Sequence, residues 1–137
     1  LVTDITGGLS QDINEHWDDI KRMYDWVVNN IEYSYDSGVP ILPWLDGDIT
    51  WHNEFWRFPS ETLEDKTGDC EDMSALLLSM IISYEMDQYP NYCITWDSDD
   101  ARHVAVAFPV GDGEITILDP TGQYYSWETE GGGIALV

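Results

Sequence analysis

The chain reads as a single α+β domain spanning residues 1–137, with helices first and a mostly antiparallel sheet afterwards. Three observations carry this. Ile13, Trp17, Ile20, Tyr24, Val27 and Ile31 recur at steps of three and four, which is the apolar stripe of an amphipathic helix. Met73, Leu76, Leu77, Met80, Ile81 and Tyr84 form a second, broader stripe. After Pro90 the period falls to two. A chain of 137 residues with 43% hydrophobic side chains, seven of them Trp and eight Tyr, can build a core, which excludes disorder.

Residues 1–8 read as a lead-in ending in Gly7-Gly8, and Ser10 as the N-cap of the first helix. Asp12 and Glu15 lie in its first turn, and Asn29-Asn30 marks its end. Residues 32–58 keep no period: Gly38, Pro40, Pro43 and Gly47 break them into an extended, loop-rich passage carrying Trp44, Trp51 and Trp56. Trp44 and Trp51 are expected to cover the core. Residues 59–64 suit a short helix starting at Pro59 or Ser60, which Lys66-Thr67-Gly68 breaks. Asp69 then caps the second long helix, with Asp72 as its capping-box partner. Ala75, Leu78 and Ile82 add apolar groups on its other faces, so this helix is expected at the centre of the domain.

In the sheet region Tyr92, Ile94 and Trp96 alternate with Cys93 and Thr95, and residues 97–100 form a polar turn. His103, Ala105, Ala107 and Pro109 alternate with Val104, Val106 and Phe108. Gly111-Asp112-Gly113 makes a hairpin, from which Ile115 and Ile117 return against the previous strand. Asp119-Pro120-Thr121-Gly122 turns the chain again, and residues 124–127 read as a further strand.

Charge removes several classes of function. With 27 acidic against five basic residues the chain carries −22. Such a surface repels phosphate backbones and anionic head groups, so neither nucleic-acid binding nor membrane contact by this domain is expected. No apolar run approaches the roughly 18 residues of a membrane span. No signal peptide is recognisable and the chain begins at Leu1, so it reads as a processed or excised part of a larger protein. An extracellular or cell-surface location is the expectation.

Three residues combine by position. Cys70 lies in the first turn of the buried helix, His103 begins one strand, and Asp119 ends the next strand of the same hairpin. A thiol nucleophile, a general base and an orienting carboxylate need that arrangement. Helix-terminal N–H groups favour a thiolate, whereas Asp69, Glu71 and Asp72 oppose it. A protonated His103 would then supply the activation, bringing the thiol below its usual value of about 8.5. Singly, each has an ordinary explanation: a buried thiol, a strand histidine, an Asp-Pro turn. Together they read as chemistry. Cys93 is expected mid-strand in the core and not disulfide-bonded to Cys70, while His16 and His52 are expected to be structural.

The runs Phe55-Trp56-Arg57-Phe58-Pro59-Ser60-Glu61-Thr62-Leu63, Thr67-Gly68-Asp69-Cys70-Glu71-Asp72, Arg102-His103-Val104-Ala105-Val106 and Ile117-Leu118-Asp119-Pro120 resemble the transglutaminase-like superfamily of cysteine enzymes, in particular its prokaryotic and archaeal members. The resemblance implies a papain-like core whose nucleophile helix packs on an antiparallel sheet. Cys70 would be the nucleophile, His103 the base, Asp119 its orienting group and Trp56 a donor to the oxyanion through its indole N–H. The implied reaction is acyl transfer on a protein or peptide amide, with hydrolysis by a cysteine peptidase or amidase as the primary reading. Protein-glutamine cross-linking is one alternative, and a catalytically silent peptide- or glycan-binding module another. No cofactor is expected. Calcium is compatible through Asp69 and Glu71, positions at which some bacterial relatives depend on it, but no residue is assigned as a metal ligand.

Overall fold

A computed structural model describes residues 1–34, 39–41, 50–52, 57–97, 102–111, 113–125 and 134–135. The chain starts with a short helix, α1 (Val2–Thr6), closed by Gly7 in the left-handed region at φ 82°. Its five residues are too few to register as a period, so the lead-in read from sequence hides a helix. The long helix α2 (Ile13–Asn30) is capped by Asp12, not by Ser10: Asp12 Oδ1 accepts from the N–H groups of Asn14 and Glu15 at 2.8 and 3.2 Å. Ser10 Oγ instead accepts from the Asp12 N–H, one step outside the helix. The α2 stripe is buried from Ile20 onwards, whereas Ile13 at its head is 66% exposed.

The passage read as loop holds paired backbone. β1 (Glu32–Tyr33) runs parallel to β4 (Thr67–Gly68), and β2 (Val39–Ile41) pairs antiparallel with β3 (Thr50–His52). His52, expected in a loop, is thus in a strand. Trp44 lies outside the described residues, and so does the side chain of Trp51.

α3 (Pro59–Asp65) starts with Pro59 at its first position, where no N–H is missed, and the Glu61 carboxylate accepts from the Phe58 N–H at 2.8 Å. Lys66, at φ 60°, ends it. α4 (Cys70–Glu85) follows under the expected capping box. Its stripe from Met73 to Tyr84 is buried as read, and the helix lies against α1, α2 and α3 on one side and the sheet on the other.

That sheet contains β5 (Tyr92–Asp97), β6 (Arg102–Gly111), β7 (Glu114–Asp119) and β8 (Tyr124–Tyr125) in sequential order, all antiparallel. β9 (Ile134–Ala135), which had no sequence signal, also pairs with β7. From Val104 to Phe108 every residue of β6 is buried, so the central strand is covered on both faces. The core is Met23 and Val27 of α2, Leu76, Leu77 and Ile81 of α4, and Val106 and Leu118 of the sheet.

A polar clip fixes α2 to α4 inside this core. The Tyr84 hydroxyl donates to Asp19 Oδ2 at 2.7 Å, and Arg22 bridges to the other oxygen of that carboxylate. Burial, then the neighbouring carboxylate, pushes the Tyr84 hydroxyl up to about 12.

Candidate active site

The N-terminus of α4, the start of β6 and the end of β7 meet at one edge of the core. Cys70 is the first residue of α4 and half-buried. Asp69 fixes the helix start by accepting from the N–H groups of Glu71 and Asp72 at 3.0 and 3.2 Å, and Asp72 returns a bond from the Asp69 N–H at 3.3 Å. β6 is then clipped to this helix through a single residue. The Val104 carbonyl accepts from Ser74 Oγ, four residues along α4 from Cys70, at 3.0 Å. The residue next to His103 is therefore held on the helix that begins at Cys70.

His103 Nε2 lies 2.6 Å from Asp119 Oδ2. Asp119 is 7% exposed, and its other oxygen accepts from the Gly122 N–H at 3.0 Å. Behind it, the Tyr24 hydroxyl reaches the Asp119 carbonyl at 3.4 Å, and Tyr24 stacks on Tyr125 with ring centroids 5.3 Å apart. With Nε2 directed at a carboxylate, Nδ1 is the ring nitrogen that can exchange a proton elsewhere.

The thiol departs from expectation. Cys70 is shifted upward, first by burial and then by the charges of Asp69 and Glu71; the N–H groups of Val104 and Glu71 pull it down only in part. Removing one of the repelling charges should lower it. In Asp69→Asn, which keeps a capping oxygen, the pH midpoint of Cys70 alkylation by iodoacetamide, read peptide by peptide with mass spectrometry, should fall. An unchanged midpoint would remove the Asp69 charge from the account.

Cys93 needs correcting too. It is exposed on the edge strand β5, not packed in the core, although partial burial of its sulfur still raises it. Both cysteines are free. Trp56 lies outside the described residues, so its role as an oxyanion donor stays an expectation.

Sequence reading missed what supports the site. The Asp72 carboxylate, buried in full, accepts from the Arg57 N–H at 3.1 Å and so ties the chain entering α3 to the start of α4. Gly68 makes this close approach possible, since a Cβ there would stand 2.7 Å from that of Asp72. The Gly-Asp-Cys run marked a helix start, but nothing in it showed that the glycine serves a carboxylate four residues on.

His16 has a definite partner: Nε2 meets Glu85 Oε1 at 3.0 Å, while Asn91 donates to Oε2. Both line a cavity of about 310 Å³ with Trp17 and Phe108, at the far ends of α4 and β6 from the thiol. Asp69 Oδ1 accepts from the N–H groups of both Glu71 and Asp72, the two Asp72 oxygens accept from those of Arg57 and Asp69, and no three Cys, His, Asp or Glu side chains converge as a metal site among the described residues. No chemical step is routed through a metal. Likewise, no described helix is long and apolar enough to cross a membrane.

A helix beginning at Cys70, packed on an antiparallel sheet that carries the His103–Asp119 pair, is the arrangement of a transglutaminase-like fold. The chain belongs to the transglutaminase-like domain family, whose model matches residues 2–129. It is 40% identical over 73 residues to the UPF0252 protein MJ1282 of Methanocaldococcus jannaschii, a match covering 50% of this chain and 19% of that protein. Among solved structures its fold is similar to Legionella pneumophila LapG, with a TM-score of 0.61 at 17% identity over 90% of this chain and 61% of that one. Calcium-bound LapG matches at a TM-score of 0.50 and 16% identity, over 90% and 73% of the two chains. At these identities the likeness is one of fold. The chain spans less than two thirds of the archaeal relative and of the first LapG chain.

Proposed function

We propose that this protein is a thiol-dependent acyl-transfer enzyme that hydrolyses protein or peptide amides, a transglutaminase-like cysteine peptidase or amidase. The observation that carries the reading is the 2.6 Å His103–Asp119 pair, with His103 on a strand whose next residue, Val104, is bonded to Ser74 on the helix that begins at Cys70. His103 works as a general base, taking the thiol proton at Nδ1 as sulfur attacks the amide carbonyl. Asp119 holds the ring in the required tautomer and faces the imidazolium that forms. The oxyanion develops at the N-terminus of α4, where the Cys70 N–H has no intrahelical acceptor; one such donor contributes about 3 kcal/mol. As the C–N bond breaks, the imidazolium gives its proton to the departing amine. Water, deprotonated by His103, then opens the thioester and the thiol is restored.

Cross-linking has one observation in its favour: a −22 protein attracts a lysine ammonium as acceptor. Incubation with mixed peptides, with and without a labelled primary amine and with and without calcium, separates the outcomes by mass spectrometry. New carboxyl termini or deamidated side chains are expected. Amine incorporation outrunning hydrolysis would make the enzyme a transglutaminase, and tight peptide binding with neither product would make it a binding module.

A further inference from the structure

Gly122 sits in the exposed turn after β7, carries no functional group, and belongs to none of the motifs that mark the site. Yet its position is constrained by the site and not by the turn. A Cβ at residue 122 would stand 2.5 Å from Asp119 Oδ2, 3.1 Å from Cγ and 3.6 Å from Oδ1. The first distance is one that real Cβ atoms essentially never show, and it falls on the oxygen that meets His103. The backbone itself asks for nothing unusual. Gly7, Gly8 and Gly113 are the described glycines with positive φ, and Gly122 is not among them. Any L residue could adopt this backbone, so only the neighbouring carboxylate requires a glycine.

We infer that Gly122 is a positioning residue for the Asp119–His103 pair: its N–H holds Oδ1 while the space left by its missing Cβ admits Oδ2. The inference rests on the acyl-transfer reading above. A methyl group at 122 displaces the end of a short, movable side chain, which the fold can absorb. The site cannot, because rotating the carboxylate away from residue 122 gives up the bond to the Gly122 N–H, the bond to His103 Nε2, or both. Without an acceptor at Nε2 the imidazole is no longer fixed in the tautomer that leaves Nδ1 basic. Alanine also restricts the unfolded chain at a backbone-compatible position, which favours folding. Gly122→Ala is thus expected to spare stability while damaging chemistry.

The test is a mutant cycle over Gly122→Ala, Asp119→Ala and the double variant, with His103→Ala alongside. The readouts are kcat and KM on a peptide substrate, the pH profile of Cys70 alkylation, and the melting temperature. Gly122→Ala should lower kcat by about tenfold or more, in the range found for outer partners of a ligating or catalytic histidine, with KM and melting temperature nearly unchanged. In the Asp119→Ala background it should have no further effect, because the carboxylate through which it acts is gone. Should Gly122→Ala fail to fold while the double variant folds, the clash with the carboxylate is demonstrated directly. If both fail, the turn itself needs glycine and the proposal falls. It falls as well if kcat and the alkylation profile of Gly122→Ala match wild type, or if the loss persists without Asp119. Indifference of Cys70 to both His103→Ala and Asp119→Ala would instead overturn the acyl-transfer reading.

Discussion

Replacing Cys70 with Ala or Ser should abolish turnover and leave the folded state in place. In the proposed mechanism the sulfur forms the acyl intermediate, and when one member of such a unit is lost the others are nearly idle. A fall in kcat on the order of 10⁶ is the scale set by nucleophile removal in a comparable triad. The fold should not notice, for local reasons. Cys70 occupies the first position of α4, and the cap of that helix comes from the carboxylate of Asp69 rather than the thiol. The side chain is half-exposed and stands outside the apolar cluster of the core. Progress curves and a thermal melt on the same preparations check both halves. Residual turnover within tenfold of wild type, with no rescue by contaminating wild type, would take the nucleophile's role away from Cys70.

Leu77→Ala should cost about 3–5 kcal/mol of folding stability, the range for emptying a fully enclosed leucine site. Leu77 is 0% exposed at the middle of α4, where the helix is covered by α2 and β6 at once. With covering elements on two sides, neither can collapse into the space without giving up contacts on its own far side. Leu78, one residue on, is only partly buried, and Leu78→Ala should cost less than half as much. Urea unfolding of both variants measures the difference. Equal losses would mean that α4 is not the central element. A net stability of about 5–15 kcal/mol leaves little room for such a loss, and because α4 also carries Cys70, activity should fail together with the fold.

The helices and the sheet were legible because their signals are periodic and local. The α4 stripe needed only its own sixteen residues, and the capping box of Asp69 and Asp72 only four. Where the reading failed, the signal was short or ambiguous. Ser10 and Asp12 are both good caps, and the choice falls to which residue has N–H groups two and three positions on in helical geometry. The residue that has them is Asp12. Cys93 was misread because strand alternation shows which residues share a face but not whether the strand lies at the edge of the sheet. β9 gave no signal, since two residues of strand exist only by virtue of the strand they pair with.

By itself the sequence determined the α+β class, the two long helices, the pairing of β6 with β7 and the transglutaminase-like resemblance, and it singled out Cys70, His103 and Asp119 as a candidate set. Each depends on spacing along the chain or on a motif within a few residues. Tertiary structure alone decided what surrounds the set: the bond from Ser74 of α4 to Val104, the Asp72 tie to Arg57, the room made by Gly68 and Gly122, and the upward shift of the thiol. Those depend on distances between segments far apart in the chain and on how much water burial removes from a charge. Neither quantity is a property of any residue until the segments have met.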